Sequence, residues 1–178
     1  MLEQVSFEGK NEGEVLLVFT RRHWFVLFSI TLGTLFAAFL PLVLIVLFAP
    51  LIVAYEAGSA IFLFCWFIYI MILWFILIYQ YTIYSLDTWI VTNERVLDIV
   101  QIGFFNRKVS ELHLDSIQDI SVNTNGFIQS YLTFGNVEIQ TAATSQRFLF
   151  DRVPHPLAIK DAIMNAANAR KDRIHGSF

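Results

Sequence analysis

The four histidines carry the most distinctive chemistry in the chain, because an imidazole binds metals and moves protons near neutral pH. They are His23, His113, His155 and His175, and no two of them stand at the spacing of a helical metal-binding pair. His113 and Asp115 would share one face of a strand and could begin a metal site. A zinc site in a protein takes at least three such ligands, so we predict no metal site. His155 lies between two prolines and is expected to cap a helix.

The acidic and nucleophilic residues also lack a catalytic arrangement. Glu111, Asp115 and Asp119 alternate with apolar residues, as exposed positions of a strand do. The sequence has no Gly-rich phosphate loop, no Gly-x-Ser-x-Gly nucleophile motif and no dinucleotide-binding fingerprint. Its one cysteine, Cys65, lies within an apolar run, which excludes a disulfide and a cysteine metal cluster. We therefore predict that the protein is not an enzyme and uses no cofactor.

Two large apolar residues and two basic residues fall in one predicted turn. Phe104 and Phe105 come just before Arg107 and Lys108. An exposed turn of this composition can dip into a membrane interface, with its rings among the acyl chains and its cations at the headgroups. The alternative is that Phe104 and Phe105 fill a core and that the basic pair is a solvated turn. The net charge of -3 and the lack of a basic patch argue against a nucleic-acid partner.

Two long apolar runs lie ahead of these residues. No charged residue occurs over the 25 positions from 24 to 48, and all nineteen residues from 61 to 79 are apolar or aromatic. A helix needs roughly 17 to 25 such residues to cross a bilayer, and a signal-peptide core has only about 7 to 15. We predict a transmembrane hairpin with helices at about 24–48 and 59–83. The small residues Ser29, Thr31, Gly33 and Thr34 could form a helix-packing face.

Positive charges beside the first run predict its orientation. Arg21 and Arg22 abut the run and Lys10 lies further back, whereas the link between the runs has no Lys or Arg. The positive-inside rule then places the N-terminus in the cytoplasm, and two spans return the chain to that side. His23 is expected at the headgroup level. Neither run contains an acidic or basic residue, which argues against an ion pathway. We expect a multi-pass protein of the cytoplasmic membrane.

The rest of the chain alternates short apolar runs with turn residues, which is typical of an antiparallel sheet. Strands are predicted at 88–92, 95–102, 108–114, 117–122, 136–141 and 146–153. A helix is predicted from Pro156 to about Arg170, where apolar residues recur at helical spacing. This helix can bury its apolar stripe against the open end of a curled sheet. The predicted fold class is α+β, a helical hairpin followed by an antiparallel barrel or sandwich with a C-terminal helix.

Several motifs stand in an order that resembles a known family. They are Thr92-Asn93-Glu94-Arg95, Gly103-Phe104-Phe105 with Arg107-Lys108, Ile117-Gln118-Asp119-Ile120 and Gly135-Asn136-Val137-Glu138-Ile139, all behind two apolar runs. The chain resembles bacterial membrane proteins with a PH-like domain of the second bacterial type, called YdbS-like. The resemblance implies two nearly orthogonal sheets closed by a C-terminal helix, and little chemistry. One departure is Ala143, where the pattern often has a glycine.

These predictions divide the chain into a cytoplasmic segment at 1–23, a transmembrane hairpin at 24–83, a PH-like domain at 84–170 and a flexible tail at 171–178. Many eukaryotic PH domains hold phosphoinositides with basic residues around the first hairpin loop. Here that loop offers Arg95 beside Glu94, so we expect no such site.

Three functional hypotheses remain open on these grounds. The first is an interaction module at the cytoplasmic membrane face that binds a protein partner or a second copy of itself. The second is sensing of lipid headgroups or of the membrane surface by the 103–108 hairpin. The third is a subunit of a membrane enzyme or transporter. In all three the lipid bilayer is a partner.

Overall fold

The computed structural model describes residues 11, 13–54, 57–141 and 147–175. The chain forms two compact units, of which one runs up to His23 and resumes at Ser85, and the other is Trp24–Tyr84. We call the first the sheet domain and the second the helical unit. Lys10, Ala143 and the expected first strand residue Gln146 lie outside the described residues.

Seven strands of the sheet domain form two antiparallel sheets. The first sheet has the order β1-β2-β3-β4 and the second the order β5-β6-β7. The strands are β1 Leu16–Arg21, β2 Thr88–Thr92, β3 Arg95–Ile102, β4 Asn106–His113, β5 Ile117–Asn123, β6 Phe134–Thr141 and β7 Arg147–Pro154. The six strands expected from the sequence are all present, with ends shifted by up to two residues.

Strand β1 was not expected, because it precedes the helical unit in the chain. It pairs with β2, with Phe19 opposite Ile90 and Arg21 opposite Thr88. The prediction that residues 1–23 form a segment separate from the domain is therefore wrong for Leu16–Arg21. The physical reason is that every residue of β2 is buried. A buried strand needs hydrogen-bond partners on both edges, and β1 supplies them on the edge away from β3.

The core of the sheet domain lies between the two sheets and the C-terminal helix α4, Pro156–His175. Its largest fully buried side chains are Trp89 and Phe150, which stack with ring centroids 5.5 Å apart. Val137 and Ile139 are fully buried, as their alternation with polar residues predicted. Helix α4 contributes its apolar stripe to this core: Ile159, Ile163, Ala166 and Ala167.

Helix α4 is five residues longer than the sequence suggested. Residues 171–175, expected in a flexible tail, are helical. Arg173 donates hydrogen bonds to the carbonyls of Ala169 and Asn93, which ties this end of the helix to the turn between β2 and β3. The two ends of α4 therefore lie at opposite ends of the sheet domain.

The helical unit consists of α1, Trp24–Ala54, and α2, Gly58–Leu86. Both helices are long and apolar enough to cross a membrane, judged by length and composition alone. The most apolar 18-residue windows within 24–50 and 58–86 have mean hydropathies of 2.6 and 2.8, and 6% and 0% of the residues in those windows are buried. A core helix of a soluble domain would bury an apolar stripe instead.

One hydrogen bond joins α1 and α2 at the proline of α1. Pro41 has no N–H, so the carbonyl of Ala37 loses its partner within the helix. The hydroxyl of Tyr69 on α2 donates to that oxygen at 2.9 Å. Gly33, in the expected small-residue packing face, has no atom within 4 Å of where a Cβ would stand, so α2 does not pack on it.

Candidate functional site

The tip of the β3–β4 hairpin, residues 102–109, is an exposed apolar surface. Phe105 is 98% exposed and Phe104 37%, and Ile102 and Val109 on the flanking strands are exposed as well. The register pairs Ile102 with Asn106, which leaves residues 103–105 as the turn. Gly103 adopts a φ of +80°, a conformation that favours glycine. Phe105 therefore does not fill the core, contrary to one of the two readings of this turn.

Hydrogen bonds hold the backbone of the hairpin tip. The side-chain amide of Gln101 donates to the carbonyls of Gly103 at 2.8 Å and Phe104 at 3.2 Å. The backbone N–H of Gln101 donates to the Oδ1 atom of Asp87 at 2.8 Å. Asp87 follows the last residue of α2, so the tip is tied to the point where the chain re-enters the sheet domain.

The charges at the hairpin tip are partly balanced. Arg107 and Lys108 are both exposed on β4. Lys108 is opposite Val100 and lies on the same face of the hairpin as Asp98. Burial raises the pKa of Asp98, and the nearby Trp89 indole and Lys108 ammonium partly offset this rise. Because the Lys108 ammonium lies near the Asp98 carboxylate, its charge is partly balanced within the domain. The exposed rings of Phe104 and Phe105 are therefore a stronger feature of the tip than its two basic residues.

The hairpin tip lies at the end of the first sheet where the chain connects to the helices. Arg21, the last residue of β1, is opposite Thr88, the first residue of β2, and Thr88 is opposite Ile99. Strand β3 continues three residues beyond Ile99, which is about 10 Å of extended chain. The tip therefore projects past the row of residues at which the chain leaves for α1 and returns from α2.

Arg22 and Asp87 clamp these two connections together. Arg22 precedes α1 by two residues, and its guanidinium forms an ion pair with Asp87 at 2.9 Å. A second ion pair, at 3.5 Å, links Arg22 to Asp151 on β7. Asp87 is completely buried. Arg21, which precedes Arg22 in the chain, is exposed on β1, with its guanidinium carbon 5.2 Å from the centre of the Phe19 ring.

His23 connects the start of α1 to the second sheet. Its backbone N–H donates to the carbonyl of Arg152 at 2.7 Å, and its ring stacks on Phe134 with centroids 4.6 Å apart. Burial, and then the charge of His155, lower the pKa of His23. The side chain of His23 is buried in the domain, and the expectation that it lies at the headgroup level stays a prediction. His155 caps α4 as expected, since its carbonyl accepts the N–H of Ile159.

A second exposed aromatic surface lies on a short helix, α3, between β5 and β6. Helix α3 is Phe127–Tyr131. Phe127 is 82% exposed and Tyr131 78%, and their rings stack at 6.1 Å; Ile128 between them is also exposed. This surface was missed in the sequence, because a five-residue helix after Asn123, Asn125 and Gly126 looks like a polar loop. The spacing of four residues between two aromatic rings was the available signal.

A cavity of about 440 Å³ lies between α3 and the start of α4. Its lining is Thr124, Gln129, Ser130, Thr133, His155, Pro156, Leu157 and Ala158. No Lys or Arg is among these described lining residues, so the cavity lacks the charges that hold a multiply charged headgroup. It does not resemble a phosphoinositide site.

The other residues considered for chemistry have separate structural partners. Glu111 pairs with Arg95 at 2.7 Å, and Asp115 pairs with Arg170 at 2.8 Å. The carboxylate of Asp119 accepts the N–H of Ile120 beside it. In the part of the chain that the structure describes, no three His, Cys, Asp or Glu residues are grouped to hold a metal ion.

Sequence comparison identifies the class of this fold. The family model for the bacterial PH domain matches residues 25–167, which include α1 from its second residue, all of α2 and all strands except β1. The chain belongs to this family. The resemblance that the sequence motifs indicated is therefore confirmed, and so is the α+β architecture of two apolar helices, two antiparallel sheets and a C-terminal helix.

Two solved structures are similar to this chain over less than half of its length. One is a DUF1696 family protein with a pleckstrin-homology domain from Shewanella loihica PV-4, at 15% identity and a TM-score of 0.38, covering 46% of this chain and 70% of that one. The other is a pleckstrin homology domain from Shewanella amazonensis SB2B, at 14% identity and a TM-score of 0.37, covering 46% and 66%. No curated protein matches the sequence.

Proposed function

We propose that this protein is a membrane-anchored PH-like domain whose β3–β4 hairpin tip inserts into the surface of the membrane that α1 and α2 span. The observation that carries the proposal is the position of the tip. Phe105 is almost fully exposed, at the end of the first sheet where the chain connects to two long apolar helices.

The anchoring part of the proposal rests on the helices. Most of their apolar residues are exposed or half-exposed, and water would make such a surface aggregate. A bilayer is the solvent in which helices of this length and composition are stable. Strand β1 precedes the two helices and β2 follows them. Two spans would leave both strands on the same side of the membrane, so the β1–β2 pairing is compatible with a two-span hairpin.

The free energy gained by inserting the tip is enough to orient the domain on the membrane but too small to bring the domain there. Transfer of one fully exposed Phe side chain out of water is worth about 1.5 to 3 kcal/mol. That is too little to hold a soluble domain on a membrane, since even a single myristoyl chain binds only marginally. The proposed anchor keeps the tip close to the bilayer at an effective concentration in the millimolar range, where a weak contact is populated.

The proposed orientation places both termini in the cytoplasm. Arg21 and Arg22 precede α1, and the described part of the far link has no Lys or Arg. Binding of a protein partner or of a second copy, the first expectation from the sequence, also stays a proposal. Membrane contact is preferred because the tip lies at the connected end of the domain.

A quenching experiment tests the tip contact in the full-length chain. Cys65 is the only cysteine, so a Cys65→Ser background carrying Asn106→Cys takes one environment-sensitive fluorophore and keeps both phenylalanines. The protein is reconstituted in phosphatidylcholine liposomes that contain lipids with a quencher high on the acyl chain. We expect strong quenching and a blue-shifted emission, because Asn106 is adjacent to Phe105 in an exposed turn.

Two controls make the result specific. Asp172→Cys, exposed near the far end of α4, places the fluorophore at the opposite end of the domain and should show little quenching. Phe104→Ser/Phe105→Ser, combined with the probe at position 106, should lose most of the quenching. Equal quenching at positions 106 and 172 would contradict the tip contact.

A further inference from the structure

We infer that α3 is a second membrane-contact element, which places Phe127, Ile128 and Tyr131 in the lipid interface beside the contact of the hairpin tip. The inference rests on the proposed membrane anchoring and extends it from the first sheet to the second. The occupant of this surface is the bilayer itself.

Helix α3 lies close to the residue from which the chain enters α1. Tyr131 is three residues from Phe134, so their Cα atoms are at most about 11 Å apart. The Phe134 ring stacks on His23, and His23 directly precedes α1. Helix α3 is thus adjacent to the departure of the chain into α1, just as the hairpin tip is adjacent to its return from α2.

The second step is the end of the domain on which α3 lies. Helix α3 lies in the connection between β5 and β6, and Phe134, the first residue of β6, pairs with Pro154 at the end of β7. The carbonyl of Arg152 near that strand end accepts the N–H of His23. The second sheet therefore presents α3 at the same end of the domain at which the first sheet presents its hairpin tip.

The chemistry of α3 fits a lipid interface better than water. Phe127 and Tyr131 are one helical turn apart and stack, so they expose one continuous apolar face. Tyrosine is enriched at membrane surfaces because its ring prefers the acyl region and its hydroxyl the headgroups. The five residues of α3 include no charge that would oppose insertion.

Two membrane contacts constrain the orientation of the domain more than one contact does. A single inserted tip would let the domain pivot about it, whereas a tip on the first sheet and α3 on the second fix the tilt of the domain on the bilayer. The half-buried Arg22 pairs with Asp87 before β2 and with Asp151 on β7, so these ion pairs link the first sheet to the second.

The test uses the full-length chain in the same liposomes. Ile128→Cys in the Cys65→Ser background carries the fluorophore and keeps both aromatic rings of α3. We expect quenching at position 128 that clearly exceeds quenching at Asp172→Cys, and its loss in Phe127→Ser/Tyr131→Ser. Because both rings are exposed, these changes should leave the far-UV circular dichroism spectrum unchanged. Phe127→Leu/Tyr131→Leu keeps the face apolar and should retain most of the quenching.

The outcomes at positions 106 and 128 separate the two proposals. Quenching at 106 with none at 128 beyond that at 172 would overturn the α3 contact and leave the tip contact standing. Quenching at 128 alone would remove the tip contact and keep α3. Quenching at 128 that survives Phe127→Ser/Tyr131→Ser would also overturn the inference, since the aromatic face would then not be its cause.

Discussion

At the scale of single residues, the most consequential polar group is Glu14, ahead of β1. Its side chain is fully buried and forms an ion pair with Arg95 at 3.0 Å. Thr92 also donates a hydrogen bond to Glu14, at 2.8 Å, and Arg95 pairs with Glu111 at 2.7 Å. This cluster attaches the segment before β1 to the β2–β3 turn. The motif from Thr92 to Arg95 thus has a structural role in holding the first strand.

Removing Arg95 should destabilise the sheet domain strongly. Arg95→Met leaves the Glu14 carboxylate buried without its cation, which we expect to lower the free energy of unfolding by about 3 kcal/mol or more. Thermal unfolding of the full chain in detergent, followed by near-UV circular dichroism, measures this loss. Arg170→Met is the matched control, because it breaks a partly exposed pair with Asp115 and one long hydrogen bond to the carbonyl of Glu94, and it should cost about 1 kcal/mol. Equal losses in the two variants would contradict the role of the cluster.

The same carboxylate predicts a pH dependence. Burial alone would raise the pKa of Glu14, but hydrogen bonds from Arg95, Asn11 and Thr92 lower it below the ordinary value of 4.5. The unfolded chain therefore takes up the proton first on acidification. The contribution of Glu14 to stability is complete above pH 4.5 and is lost as the pH falls through the lowered pKa. In Arg95→Met burial dominates, so its deficit relative to wild type should shrink toward acid pH.

At the scale of helices and strands, the hydrogen bond from Tyr69 to the carbonyl of Ala37, one turn before Pro41, gives a further prediction. Tyr69→Phe leaves the carbonyl of Ala37 without a donor, so we expect the helical unit to lose about 1 kcal/mol. Unfolding of the full chain by titration with sodium dodecyl sulfate measures the loss. Tyr81→Phe, at an exposed position of α2, is the control and should change little.

A double-mutant cycle isolates the cause of this loss. Pro41→Ala restores an N–H that can bond to Ala37 within α1. In that background Tyr69→Phe should cost clearly less than in wild type. The same cost in both backgrounds would show that the hydroxyl does not replace the bond that Pro41 removes.

The local pattern of apolar and polar residues predicted most of the helices and strands but missed β1 and α3. Strands β2 to β7 were visible because apolar and polar residues alternate between turn residues, as Val137, Glu138 and Ile139 do. Strand β1 was not, because its partner β2 lies beyond the whole helical unit and no local pattern reports such a pairing. Helix α3 was missed because it is too short to show helical periodicity.

The candidate site was predicted in composition but not in placement. Phe104, Phe105, Arg107 and Lys108 were singled out by their types alone. Whether the rings were buried depended on how far β3 and β4 extend beyond their neighbours, and register across a sheet decides that. The same limit applies to Arg22, whose partners Asp87 and Asp151 come from two distant segments.

At the scale of the whole molecule, the pairing of β1 with β2 predicts the topology. Single cysteines in the Cys65→Ser background are placed at Val15, Ala57 and Asp172, and a membrane-impermeant maleimide is applied to intact cells and to inside-out vesicles. We expect Ala57→Cys to react only in intact cells, and Val15→Cys and Asp172→Cys only in the vesicles. Reaction of positions 15 and 172 from opposite sides would contradict the β1–β2 pairing in the membrane. Reaction of both in intact cells would reverse the proposed orientation.

The separation of β1 from β2 also has a consequence for biosynthesis. The 66 residues between Arg21 and Thr88 take roughly 3 to 13 s to translate at about 5 to 20 residues per second. During that time β1 has left the ribosome without its partner strand. In the proposed membrane-spanning state the sheet closes only after both helices have entered the bilayer, because a chain with one helix inserted would leave β1 and β2 on opposite sides. Folding of the domain would then report correct insertion, and a failed insertion would leave an unpaired strand for proteolytic quality control.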